Sequence, residues 1–384
     1  MKDIDNDSLY GKFDEMVSAI VSTRIKSTFA DFFCGIGGFH TAASNLGMEC
    51  VFASDIDESC RKAYFENFGI RPAGDISKIK PSSVPDHDFL FGGFPCQPFS
   101  IIGSKKGFDD PRGTLFFDLL EIIKEKMPKA VVLENVKQLA TAQKGKVIEK
   151  ITGDLKAIGY DVEWKILNAL DCGLPQKRER VIIVGIYNGL ADFNWNFEKK
   201  KMTPLEDILE THPDKKHFVS DRIRIKRKEA HKTDVKPAIW HENKSGNISS
   251  HPYSCALRAG ASYNYLLVDG ERRLTPRETL RLQGFPDTYK IVCTDSQLKK
   301  QTGNAVPVPL VQVIIEEVDR VTRQQSEAKK TARSIKLPEW LWQWMDEQES
   351  TNRALLIESA LIKLYELKEP IIKAAINDVR GVRK

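Results

Sequence analysis

The chain has 384 residues, 41% of them hydrophobic and 29% charged, with a formal net charge of +5. That composition excludes a disordered chain, no apolar run is long enough to cross a bilayer, and the length suits two or three domains with a full-sized core. Seven cysteines occur singly, without CxxC spacing, and seven histidines form no tight ligand cluster, so reduced thiols and no metal site are expected. The acidic, polar N-terminus does not read as a signal peptide, and the reduced thiols suggest a cytoplasmic setting.

Residues 28–33 read as a first strand, and 38–46 as a helix stopped by Gly47. A second strand follows at 49–53, and a helix at 57–68 with Asp57 at its cap. Further strands fall at 89–91, 130–133 and 181–184. This alternation predicts a parallel α/β sheet covered on both faces. From about Asn188 to Asp269 the rhythm stops, and Asn, Ser, His, Lys and Gly dominate, as in a smaller second domain. Between Lys215 and Lys232 lie eight Lys/Arg and two acids, which suits either a solvated face or a polyanion contact. Thr275, Pro276 and Glu278 spell a capping box before a short helix, and 306–322 reads as a helix returning to the first domain. A charged linker, 323–330, leads to a tail.

Several loops carry chemistry. Cys96 lies between Pro95 and Pro98 behind Gly92 and Gly93, at the exit of a buried strand. Two prolines and two glycines are poor core material, so the thiol is presented on a stiff backbone as a soft nucleophile. The glycine-rich turn 31–39, between first strand and first helix, allows a ligand to approach the backbone, and Asp55 at the second strand end is placed to bind ribose hydroxyls. Asp75 follows the next loop, as a third ligand acid or as a simple turn residue. Glu134, after an apolar strand, is either an acid in the functional crevice with a raised pKa or a helix cap. Arg178 and Arg180 alternate and face one side, as a recognition pair or as surface charge at a strand edge.

Taken in order, the blocks 31–39 (DFFCGIGGF), 92–100 (GGFPCQPFS), 112–118 (RGTLFFD), 134–136 (ENV), 176–180 (QKRER), 273–286 (RLTPRETLRLQGFP) and 301–307 (QTGNAVP) resemble the cytosine-C5 DNA methyltransferases. The resemblance spans roughly residues 28–322. It implies an α/β, Rossmann-like S-adenosylmethionine-dependent methyltransferase fold with a smaller target-recognition domain and a helical C-terminal extension. The implied organisation is an N-terminal extension (1–27), a catalytic and cofactor-binding domain (28–189), a target-recognition domain (190–271), a return to the catalytic domain (272–325) and the extension (331–384).

By the same resemblance, Cys96 attacks C6 of a flipped-out cytosine, Glu134 contacts N3 and the exocyclic amine, and Arg180 holds O2, with Arg178 shaping the site. S-Adenosylmethionine would be lined by Phe33, Gly35 and Gly38, by Asp55 and Ile56, by Asp75 and Ile76, and by Pro95, Leu115, Asn304 and Ala305. Double-stranded DNA would meet Gln97, Ser100 and Gln176 near the base and Arg222 and Arg224 at phosphates, while Arg258 reads guanine and Asn264 adenine. Where the family usually has a threonine before an aliphatic residue, this chain has Ala256-Leu257. The implied role is the modification half of a bacterial restriction–modification pair, acting at the nucleoid without a stable complex with an endonuclease. Two rivals are a transfer-RNA methyltransferase, against which the basic variable domain argues, and an inactive DNA-binding regulator, against which the intact Cys96, Glu134 and Arg180 argue.

The tail reads as a short alternating strand (333–338) followed by two helices (339–348 and 353–367), the second capped within 350–352. That order resembles a ribbon-helix-helix module, which would dimerise and place Ser334 and Lys336 toward bases. The other reading is two amphipathic helices that pack on the main domain or on a partner.

Overall fold

Alternation along the buried strands sorts two helical layers onto the two faces of one sheet. The computed structural model describes residues 26–95, 114–187, 189–190 and 192–331. Cys96, Gln97 and Ser100, the N-terminal extension before Lys26, and the C-terminal extension beyond Thr331 lie outside the described residues. The strands are β1 (Thr28–Phe32), β2 (Glu49–Ser54), β3 (Phe89–Gly92), β4 (Ala130–Val136), β5 (Tyr160–Asn168), β6 (Gln176–Lys177), β7 (Glu179–Tyr187), β8 (Ile239–Glu242), β9 (Ile248–His251), β10 (Ser254–Cys255) and β11 (Leu266–Val268). The helices are α1 (Gly38–Asn45), α2 (Glu58–Phe68), α3 (Thr114–Lys126), α4 (Lys146–Ala157), α5 (Leu205–Ile208), α6 (Asp221–Ala230), α7 (Pro276–Arg281), α8 (Asp295–Asn304) and α9 (Val308–Thr331).

The main sheet has the order β2-β1-β3-β4-β7-β5. Strands β1 to β4 pair in parallel, whereas β7 is antiparallel to both neighbours. The sheet is therefore mixed, not purely parallel as expected. The cause is β5, an edge strand whose middle residues are exposed and which carries no continuous apolar run. It reaches β7 without a helical crossover, so the chain turns back beside it.

Phe29, Phe89, Phe91, Val132, Ile182 and Val184 form one face and pack with α1 and with Leu310, Ile314 and Val318 of α9. Their neighbours Ala30, Phe32, Leu90, Val131, Leu133 and Ile183 form the other and pack with Leu119 and Ile123 of α3 and Ile151 and Leu155 of α4. Period-two side chains thus bury both faces, each fully buried Leu, Ile or Phe contributing about 1.5–3 kcal/mol. Asp57 caps α2 by accepting from the Ser59 and Cys60 amides at 3.0 and 3.4 Å. Thr275 and Glu278 form the reciprocal capping box at α7.

A second, three-stranded antiparallel sheet, β11-β8-β9, lies within 239–268. Its own small core joins Leu205 and Ile208 of α5 to Ile239, Leu257, Tyr265, Leu266 and Leu282. The strands β10 and β6 pair in parallel, Ser254 opposite Gln176, and so stitch the two regions together. Ser27–Thr322 is one compact unit. Met1–Lys26 with Arg323–Lys384 is the other, described here only at Lys26 and along the end of α9. Among the described residues no helix is long and apolar enough to cross a membrane.

Candidate active site

The C-terminal ends of β1, β2, β3 and β4 meet at one edge of the sheet, where an open α/β sheet places its ligands. At the end of β1, Phe33 adopts φ 54°, Gly35 φ 53° and Gly37 φ 83°. A non-glycine residue with positive φ at such a place is held there by its surroundings. The Gly35 amide donates to Asp55 Oδ2 at 2.8 Å, the Asp57 amide to Asp55 Oδ1 at 2.7 Å, and Arg61 to the carbonyls of Asp55 and Ile56. The Asp55 amide reaches the Ala73 carbonyl, which brings the 73–76 turn to the same edge. Asp75 caps that turn through the Ser77 amide and hydroxyl. Ile76 is buried and packs with the core on the α3 side of the sheet.

This edge fits S-adenosylmethionine. Helix α1 starts at Gly37 with no side-chain cap, leaving amides for a carboxylate. Asp55 keeps lone pairs for ribose hydroxyls. Ile56, 74% exposed, offers an apolar surface for a purine. A Cβ on Gly35 would meet nothing within 4 Å, so the loop is open there. A Cβ on Gly38 would lie 2.6 Å from the Val306 carbonyl; only glycine lets the loop lie against 304–306. Asn304 is exposed beside it and Ala305 is buried. The 301–304 stretch is the last turn of α8, which ends at Asn304, just before Ala305-Val306-Pro307. Leu115, on α3, is half-buried against the core on the α3 side of the sheet.

The reacting end is adjacent. β4 extends through Glu134 and Asn135 rather than stopping before them, so both are strand residues and Glu134 is no helix cap. Glu134 is buried, and its Oε1 lies 2.6 Å from Arg180 Nε across the β4–β7 pair. Burial raises the Glu134 pKa above the ordinary carboxyl value; Arg180 and then Arg178 oppose it. A Cβ on Gly93 would stand 3.5 Å from Glu134 Oε2 and 3.6 Å from Val306 Cγ2. Asn135 Nδ2 donates to the Phe94 carbonyl at 2.9 Å. The acid thus lies near Gly93, and Val306 lies near both Gly93 and Gly38 of the glycine turn.

Two predicted site residues stand elsewhere than expected. Gln176 is fully buried: its Nε2 donates to the Leu282 carbonyl at 2.7 Å and its Oε1 accepts the Leu257 amide at 3.0 Å. Both ends of the amide are spent inside the protein, so it does not face a DNA groove. Arg178 is also fully buried, with its guanidinium hydrogen-bonded to backbone carbonyls and not to Glu134, while its charge still acts on Glu134 and Arg180. The basic segment forms α6, with Arg222 and Arg224 exposed, while Arg227 turns inward to Glu242 and the Asn264 carbonyl. Arg258 is exposed, its guanidinium 4.9 Å from the Tyr265 ring centroid. Asn264 Oδ1 is buried without a hydrogen-bond partner among the described residues. Asn135 and Tyr289, whose hydroxyl donates to the Ile36 carbonyl at 3.0 Å, escaped the sequence reading; the former sits in a noted block, the latter has no local signal.

Comparison with known proteins agrees with this geometry. The profile of the C-5 cytosine-specific DNA methylase family matches residues 27–320. The Type II methyltransferase M.NgoBI of Neisseria gonorrhoeae is 48% identical over 320 residues, covering 83% of this chain and 98% of that relative. The Type II methyltransferase M.HaeII of Haemophilus aegyptius is 50% identical over 289 residues, covering 74% and 90%. In fold, the chain is similar to the S. pombe Dnmt2 methyltransferase (TM-score 0.61, 21% identity, 77% of this chain and 99% of that one) and to the Entamoeba histolytica methyltransferase EhMeth (TM-score 0.62, 18% identity, 78% and 99%).

Proposed function

The chain belongs to the C-5 cytosine-specific DNA methylase family, and from that premise we propose that Cys96, Glu134 and Arg180 carry out its chemistry on a cytosine turned out of the duplex. The protein is a DNA (cytosine-5-)-methyltransferase with the fold and the methyl donor, S-adenosylmethionine, of that family. The observation that carries the residue assignment is the buried Glu134–Arg180 pair, 2.6 Å apart, on the side of Gly93 where a Cβ would stand 3.5 Å from Glu134 Oε2, three residues before Cys96.

A base inside a duplex cannot reach a buried acid, so the cytosine leaves the stack, which costs a few kcal/mol. The Cys96 thiolate adds to C6, forming the S–C6 bond and moving electron density to C5. Glu134 binds N3 and the exocyclic amine and shares its proton with the ring as charge develops, and Arg180 holds O2. When bound, S-adenosylmethionine supplies the electrophilic methyl that C5 accepts. Loss of the C5 proton then reverses the addition: the S–C6 bond breaks and Cys96 is restored. Gly35, Gly38, Asp55, Ile56 and Asn304 orient the donor; Asn135 fixes the entry of the Cys96 loop through the Phe94 carbonyl.

Residues 190–271 would act as the target-recognition domain, with Arg222 and Arg224 on phosphates and Arg258 at a base edge; the exposed cations of α6 support this. The relatives named Type II methyltransferases support a role in restriction–modification, protecting cellular DNA from a cognate endonuclease; action in the cytoplasm without stable attachment to that enzyme belongs to the same proposal. We assign dimerisation to the 331–384 extension on its resemblance to a ribbon-helix-helix unit; sedimentation of the whole chain beside one ending at Thr331 tests it. The function is tested by bisulfite sequencing of DNA from cells expressing this chain. One short motif should hold a protected cytosine, and C96S should lose it. Methyl groups on RNA alone, or full activity of C96S, would contradict the assignment.

A further inference from the structure

Arg178 is fully buried, yet none of its hydrogen bonds goes to a group of the reacting centre. Its Nη1 donates to the Leu257 carbonyl at 2.8 Å, and its Nη2 to the Gly303 and Ala305 carbonyls at 2.9 and 2.7 Å. Its Nε is buried without a hydrogen-bond partner among the described residues. Glu134, the carboxylate whose charge acts on Arg178, is ion-paired with Arg180. A buried cation with carbonyls in place of a carboxylate is an expensive way to fill a core, and apolar replacements of buried charges are often more stable. What a guanidinium does and an apolar side chain cannot is tie separate backbone segments through one rigid, planar fork.

The segments tied are distinct. Gly303 and Ala305 flank Asn304, at the turn that lies against Gly38 through Val306. Leu257 begins the 257–265 loop, which holds Arg258 and Asn264. That loop is pinned to α8 at further points. A Cβ on Gly303 would stand 2.2 Å from the Ala259 nitrogen, so backbone meets backbone there. Lys299 donates to the Ala261 carbonyl, and its ammonium lies 4.4 Å from the Tyr263 ring centroid. Gln176 accepts the Leu257 amide while Arg178 donates to the Leu257 carbonyl.

We propose that Arg178 is a positioning residue that couples the two binding events of the reaction, because the carbonyls it ties belong on one side to the cofactor turn 303–305 and on the other to the DNA-reading loop 257–265. Ordering one segment orders the other, and the coupling is reciprocal. This rests on the function proposed above, which assigns those two segments.

The test is hydrogen exchange on the full-length protein with and without S-adenosylhomocysteine. The amides of Leu257, Arg258 and Ala261 are hydrogen-bonded inside the loop or to Gln176, and the product should slow their exchange by about 5-fold or more. The amides of β9, in the same small sheet, should not change. In R178K a single ammonium cannot span the three carbonyls, so the product should still bind within about 3-fold of wild type while the protection at 257–261 disappears. Product that binds wild type without protecting 257–261, or equal protection in R178K, would overturn the inference. If R178K fails to fold, the wild-type comparison alone still overturns the inference when the product leaves 257–261 unprotected. Absence of product binding would bring down the proposed function and this inference together, so the two failures are distinct.

Discussion

Arg180 reaches across two antiparallel strands to hold Glu134 at 2.6 Å, with both side chains close to fully buried. The pairing follows from register: Glu134 lies opposite Ile182 and Val136 opposite Arg180, so the arginine sits two residues along on the same face. In this site the acid is pulled two ways, upward by burial and downward by Arg180 and then Arg178.

E134Q should therefore keep the shape of the site but lose the exchangeable proton. Its kcat/KM should fall about 10²–10³-fold with cofactor affinity nearly unchanged. Wild-type activity should decline as pH rises past the raised Glu134 value, because protonated acid is lost, and E134Q should lack that alkaline decline. A steady-state pH profile of both proteins checks this.

His40 is buried, stacks on Phe68 with ring centroids 3.9 Å apart, and meets the Tyr64 hydroxyl at 2.6 Å through Nδ1. Burial lowers its pKa from 6.5 to about 4. The folded state thus binds fewer protons than the unfolded one between those values. The stability His40 contributes is full above its unfolded pKa and is lost as pH falls toward about 4, to the extent of up to about 3 kcal/mol. Asp31, whose carboxyl is raised by burial, acts in the opposite sense, so the comparison must be made between proteins. Denaturation of wild type and H40Q from pH 7.5 down to about 4.5 should show a smaller loss for the variant.

Glu278 is fully buried and accepts from Arg272, Thr275 and the Glu210 amide. E278A would leave Arg272 buried without its partner and undo the α7 cap, at about 3–5 kcal/mol. E278Q, which keeps part of that bonding, should lose less. Urea titration of the three proteins measures the difference.

Arg222 and Arg224 are exposed on α6, and the Arg224–Asp221 ion pair at 2.7 Å is a surface contact worth little. Each of R222Q and R224Q should lower the slope of log affinity for DNA against log salt by about 0.9. Sequence preference should be untouched, since phosphate contacts carry no base information. R227Q should instead destabilise the small sheet, because Arg227 is buried on Glu242 and the Asn264 carbonyl. Fluorescence anisotropy over a salt series separates these outcomes.

Much of the site was legible because it is local. The glycine turn, the Asp57 cap and the Thr275–Glu278 capping box each depend on residues within a few positions of one another, and each formed as the spacing predicts. Long-range facts were not legible. β5 carries alternating charge on an edge and lacks an apolar run, which hid both the strand and the antiparallel turn of β7. Arg178 and Arg180 look equivalent in sequence, but only their distant partners, Leu257, Gly303 and Ala305 for one and Glu134 for the other, divide their roles. Gln176 reads as a polar tip for DNA until the buried Leu282 carbonyl and Leu257 amide claim it.

The proposed chemistry turns on a transient bond between the Cys96 sulfur and C6 of a cytosine held by Glu134 and Arg180. The most direct measurement is mass spectrometry of the protein incubated with S-adenosylmethionine and a duplex carrying 5-fluorocytosine at the mapped target, where fluorine blocks the final proton loss. The account predicts a stable protein–DNA adduct on the peptide containing Cys96, absent from C96S. Methylated product without any adduct at that residue would contradict it.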